Sequence, residues 1–140
     1  MEAKKEFVRI MNESELIALA TSVHDFPNVR IVNFYYNEEN NTIYFATFVG
    51  REKISEFWKN NNVAFTTIPV RHGEREHIKA KGNVRESEKT IADLEEIFTT
   101  KMRGFKEVIE KCREELKVYE IKFNEVKLTL DSIHYEKISF

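Results

Sequence analysis

The chain has one cysteine, Cys112, so it closes no internal disulfide and builds no cysteine-rich zinc site. It has no excess of charge: 22 basic against 24 acidic side chains leave −2, which offers no global field for nucleic acid or an anionic membrane. No apolar run approaches the roughly 20 residues needed to span a bilayer, and the N-terminus "MEAKKEF" lacks a signal-peptide apolar region. The four histidines, His24, His72, His77 and His134, show no metal-ligand spacing, so no metal site is expected. There is no repeat, low-complexity segment or linker. What remains is an ordinary globular balance, 41% hydrophobic and 33% charged, over 140 residues: one domain, expected in the cytoplasm.

Residues 3–13 have helical spacing, with Phe7, Ile10 and Met11 on one face. The run "ELIALATSV" (15–23) predicts a strand buried on both faces, and "HDFPN" (24–28), with Pro27, a turn. Strands follow at 29–36 and 42–48, joined by the five-residue loop "NEENN". A helix at 52–61 carries the stripe Ile54, Phe57 and Trp58, with Trp58 read as core or interface packing. Strands at 63–70 and 76–86 come next, then two helical pieces within 87–115, broken near Gly104. Cys112 falls on the second of these and reads as a packed or surface thiol. Alternating segments at 116–123 and 125–140 close the chain. Hairpin-like connections dominate, so the expected class is α+β, mainly β: an antiparallel split β-barrel of six to seven strands with peripheral helices.

The stretch "IYFATFVGREKISEFW" (43–58) carries an electrostatic misfit. Arg51 and Lys53 stand at the start of a helix, where the macrodipole is already positive and a cation costs roughly 0.3–1 kcal/mol. Glu52 offsets part of this. An anion docked at the helix start reverses the sign, with Thr47 as a hydroxyl donor and Gly50 permitting close backbone approach. A solvated basic turn is the plain alternative. In the strand before it, Arg30 shares a face with Val32 and Phe34, whereas Ile31 and Asn33 face the other way.

Taken in order, "ALATSV", "NVRIVNF", "TIYFATF", "VGREK", "NNNVAFTT" and "HIKAKGNVRE" resemble the pyridoxamine 5′-phosphate oxidase-like family of FMN-binding split barrels. The resemblance covers about the first 86 residues. It implies an FMN site at a homodimer interface. Arg30 would approach the phosphate, and the backbone of Ile31, Val32 and Asn33 would edge the isoalloxazine. Ala46 and Thr47 would line the ribityl and phosphate region, and Arg51 and Lys53 would bind the phosphate. His77 falls where the oxidase has a flavin-contacting glutamine on the neighbouring subunit's side. Glu52 between the two cations departs from the family's loop.

Other departures argue against the oxidase activity itself. Tyr35 stands where the oxidase keeps a substrate-phosphate lysine, and "TLDSIHYEKISF" lacks its C-terminal signature. The resemblance therefore implies a shorter family member: a flavoprotein passing electrons from a nicotinamide donor to a small acceptor, with no catalytic side chain assigned. The alternatives are a non-catalytic flavin- or haem-binding sensor, with His77 or His24 on iron, and a structural dimer without ligand.

Overall fold

The computed structural model of the chain describes residues 2–140. Among these residues nine strands and four α-helices run in the order α1 (Ala3–Glu13), β1 (Leu16–Val23), β2 (Phe26–Asn33), β3 (Tyr35–Asn37), β4 (Thr42–Phe48), α2 (Glu52–Lys59), β5 (Asn62–Thr67), β6 (His77–Glu86), α3 (Ile91–Lys101), α4 (Phe105–Cys112), β7 (Leu116–Lys122), β8 (Glu125–Thr129) and β9 (Tyr135–Ser139). Every strand pairing is antiparallel. The sheet follows the path β2-β1-β5-β6-β7-β4-β3, and β8 branches from β6 to carry β9. The sheet curls without hydrogen-bonded closure, as a split barrel does. Among the described residues no helix is long and apolar enough to cross a membrane.

Strand periodicity divides the side chains between two cores. Ile17, Leu19, Ile43, Phe45, Phe65, Ile78 and Ile121 fill the barrel, and α1 plugs one side of it with Phe7, Ile10 and Met11. The alternate residues of β4, Tyr44 and Phe48, with Leu116 and Val118 of β7, lie under α3 and α4, which contribute Leu94, Phe98, Phe105 and Ile109. Residues of β4 are therefore covered on both faces, which explains its unbroken apolar run.

The structure departs from sequence expectation at several points. The β1–β2 turn is the pair His24–Asp25, both at positive φ (52° and 64°), the geometry of a two-residue hairpin whose twist suits its strands. Pro27 sits within β2, tolerated because β2 is an edge strand. β1 alternates between buried and half-buried residues, so Ala18 and Ala20 present a partly open face. The strand expected over 29–36 divides at Phe34, whose N–H donates to Glu15 O, into β2 and the short β3. The C-terminal alternation also resolves into two strands, which raises the total above the six or seven expected. Trp58 is 77% exposed, so it is no core residue; its neighbour Phe57 packs inward, against Phe45 and Tyr119.

Candidate functional site

The helix α2 starts where the sequence puts its misplaced cations. Strand β4 ends at Phe48, the chain turns through Gly50 at φ +82°, and Arg51 is the N-cap residue with no side-chain cap. The Ile54 N–H donates to Arg51 O at 3.1 Å, and the N–H groups of Glu52 and Lys53 have no side-chain acceptor. No atom lies within 4 Å of where a Cβ on Gly50 would stand, so the loop is open to a ligand. The Arg51 guanidinium lies over the Phe48 ring, 5.3 Å from its centroid.

Lys53 is half-buried in the same turn and has no carboxylate partner among the described residues. Burial holds its amine below the usual lysine range, and the charges of Arg30 and Arg51 push it the same way. Three cations thus share one field at a helix N-terminus. That arrangement is costly for an empty surface and suited to an anion.

Arg30 reaches this place from β2. Its Nη1 donates to Thr21 Oγ1 at 2.9 Å and to Leu19 O at 3.3 Å, and its Nη2 pairs with Glu56. Asn28 Nδ2 also donates to Glu56, at 3.3 Å. Glu56 lies one turn after Lys53 on α2, so the helix holds Arg30 and presents the free lysine together. Glu56 and Thr21 are absent from the residues expected on sequence grounds. The spacing of Lys53 and Glu56 places both on one helix face, but nothing in it announces that β2 supplies the partner.

Thr47 is buried on the barrel side of β4, and its hydroxyl has no hydrogen-bond partner, the one buried side-chain polar atom so placed among the described residues. An unsatisfied buried hydroxyl costs about 1–3 kcal/mol and calls for an explanation. A polar ligand group at the strand's end supplies one. The donor set therefore fits a phosphate-bearing cofactor: three cations, an uncapped helix start, an open glycine and an orphaned hydroxyl.

The remaining expected residues do not join this cluster through their side chains. Ile31 and Asn33 lie on the opposite face of β2 from Arg30, and Ile31 is 61% exposed. Val32 is buried inside the barrel. Because β2 ends the sheet path, one edge of its backbone is free of strand partners, which leaves peptide groups near Ile31–Asn33 open to a planar heterocycle's polar rim. Ala46 points away from Thr47, toward the α3–α4 core. His77 begins β6, three strand spacings from β2 or roughly 14 Å within one chain. Its Nδ1 lies 2.7 Å from Arg75 O, so with Nδ1 as donor the other ring nitrogen is left free.

A further side chain escapes sequence reasoning. Lys101, in the last turn of α3, donates to Met11 O at 3.1 Å and lies 4.0 Å from the Phe34 ring centroid. Burial lowers its pKa from 10.5 to about 8, against the pull of Glu15. Between these values the unfolded chain binds the proton and the folded chain does not, so this group makes stability rise as pH increases from about 8 to 10.5. The variant Lys101→Met is expected to lose that rise, up to about 3 kcal/mol, in urea unfolding at pH 7.5 and 10.5. Parallel pH dependences for variant and wild type would show that Lys101 stays charged when folded.

The fold has counterparts among known proteins. The family model described as "Pyridoxamine 5'-phosphate oxidase-like" matches residues 10–132. No protein with a curated description matches the sequence. Among solved structures, General Stress Protein 26 from Bacillus anthracis superposes with a TM-score of 0.74 at 16% identity, covering 100% of both chains. HutZ, described as a heme storage protein, from Vibrio cholerae gives 0.65 at 17% identity over 88% of this chain and 91% of that one. A heme binding protein from Mycobacterium smegmatis gives 0.79 at 10% identity; it covers 99% of this chain, which spans only 58% of that protein. At these identities the likeness is one of fold.

Proposed function

Since the chain belongs to the pyridoxamine 5′-phosphate oxidase-like family, we propose that it binds FMN and transfers electrons from a nicotinamide donor to a small acceptor. The observation that carries this reading is the convergence of Arg30, Arg51 and Lys53 at the uncapped start of α2. Arg51, Lys53 and the first-turn N–H groups would hold the phosphate, with Arg30 fixed behind them by Glu56. The orphaned Thr47 hydroxyl would meet the phosphate end, and the free edge of β2 would orient the ring. Bound there, FMN would supply the hydride chemistry; the protein's part is to hold and orient it.

The exposed apolar residues Val29 and Ile31, on the face of β2 away from Arg30, support a homodimer that covers this face. In that assembly His77 would reach the flavin of the neighbouring subunit. The purified protein is expected to be yellow and to release FMN, identified by mass, and NADH or NADPH should bleach it under anaerobic conditions. A protein that gains no flavin spectrum when titrated with FMN would overturn the assignment.

A second reading has its own support. Two structural neighbours are described as handling heme, and the His77 ring is oriented by the Arg75 carbonyl in the manner of a metal-ligating histidine. A non-catalytic haem-binding role predicts a Soret band that His77→Ala abolishes, with no turnover of either nicotinamide.

A further inference from the structure

The outer face of the branch β6–β8–β9 carries a second basic feature, built from residues outside α2. Strand register places Lys79 directly opposite Lys127, and Lys127 directly opposite Lys137. Three lysines thus form one row across three strands, spanning roughly 10 Å. Like charges opposite one another destabilise a sheet, so such a row is normally avoided. Lys81, two residues along β6, shares the face, and Lys122 closes the end, bonded to Thr42.

These five lysines line one open cavity of about 830 Å³ with a single carboxylate, Glu125, which reaches Lys137 at 3.8 Å. Lys79, Lys81 and Lys127 have no carboxylate within ion-pair distance among the described residues. Edge protection accounts for Lys137, since β9 ends its branch and lysine blunts strand edges. It does not account for Lys79, because β6 is paired on both sides.

We propose that this lysine row binds a compact polyanion bearing a chain of two or more phosphates, at a site separate from the α2 cradle. The concavity and volume suit a small molecule, and a row of charges roughly 10 Å long is matched by linked phosphates better than by one. Free polyphosphate and the phosphate chain of a nucleotide share this chemistry. The inference stands independently of the flavin reading.

Calorimetric titration of the full chain with tripolyphosphate at low salt tests it. In the Arg51→Ala/Lys53→Ala background, which removes the α2 cations, tripolyphosphate should still bind, and adding Lys79→Gln/Lys127→Gln should weaken that binding at least about 10-fold. Orthophosphate should bind at least about 10-fold more weakly than tripolyphosphate. Adenosine triphosphate matching tripolyphosphate would assign recognition to the phosphate chain, and tighter binding would add the nucleoside to it; both support the site. Lys79 and Lys127 are exposed side chains, and circular dichroism verifies that the glutamine variant folds. Equal binding with and without the glutamine substitutions in that background, or equal affinity for orthophosphate, would overturn the proposal.

Discussion

The double variant Arg51→Ala/Lys53→Ala is expected to bind FMN at least about 100-fold more weakly than the wild type while keeping its unfolding midpoint in urea. Hydrogen bonds to a charged group contribute about 1.5–3 kcal/mol each, so losing two weakens binding by roughly 10² to 10⁴. Stability should hold because neither cation has a carboxylate partner among the described residues, and Lys53 is disfavoured in its charged form by burial and by its neighbours. Removing it relieves repulsion on Arg30, which keeps Glu56 and Thr21.

Of the two, Lys53 should matter more. Its amine is drawn into the field of Arg30, whereas Arg51 is exposed and rests on Phe48. Flavin fluorescence quenching measures both single variants and the pair. Riboflavin lacks the phosphate and should bind wild type and double variant alike. An unchanged FMN affinity in the double variant would remove the cradle, whereas equal losses for FMN and riboflavin would point to a disturbed fold.

How far this site can be read in advance follows from what kind of information each part needs. The helix start is legible because a cation in the wrong turn is a local contradiction, visible in "VGREK" alone. The face of Arg30 is legible because strands alternate. The partners of those residues are not. Glu56 meets Arg30 only because β2 and α2 come together at the barrel mouth, a fact of three-dimensional arrangement between residues 26 positions apart. Lys101 is a clearer case. Its burial depends on α3 lying over Phe34 and the end of α1, and a lysine in a helix's last turn looks like ordinary dipole pairing.

The fold itself divides along the same line. Strands rich in β-branched and aromatic residues, such as β4 and β7, can be read with near-correct limits from the sequence alone. The β1–β2 turn is easily misplaced because proline is a loud signal and His24–Asp25 a quiet one. Both residues accept the left-handed region more readily than most, yet neither demands it. Trp58 misleads because helical spacing assigns a stripe, and the barrel mouth accepts only part of it. Phe57 enters beside Phe45 and Tyr119, while Trp58 remains at the rim.

Gly82→Ala is expected to lower stability by about 2–4 kcal/mol, a large loss for one methyl group. Gly82 sits where the barrel splits. On one side of β6, β8 pairs with residues 77–80 and β7 with residues 83–86, so Gly82 lies in the gap between them. The chain leaves β7 at Lys122 and turns through Phe123 and Asn124 into β8 across this gap. A Cβ at position 82 would collide with the Lys122 carbonyl oxygen and stand 3.2 Å from Ile121 Cγ2. The obstacle is backbone, which cannot rotate aside as a side chain would. Relief requires the turn to lift, and the turn is anchored at Phe123, which packs against Phe7, Tyr36 and Phe65 in the barrel core. Urea unfolding should show the lower midpoint with an unchanged slope, the signature of lost stability without a change in denatured-state compactness. The methyl group is apolar, so no charge in the lysine cavity or the α2 cradle changes with it. Gly73→Ala separates backbone strain from steric collision, because Gly73 has φ +83° and no atom within 4 Å of where the new methyl would stand. It should cost about 1 kcal/mol, through the unfavourable φ alone. Matching losses at the two positions would mean that the β7–β8 turn yields freely and that the branch point is not fixed by Gly82.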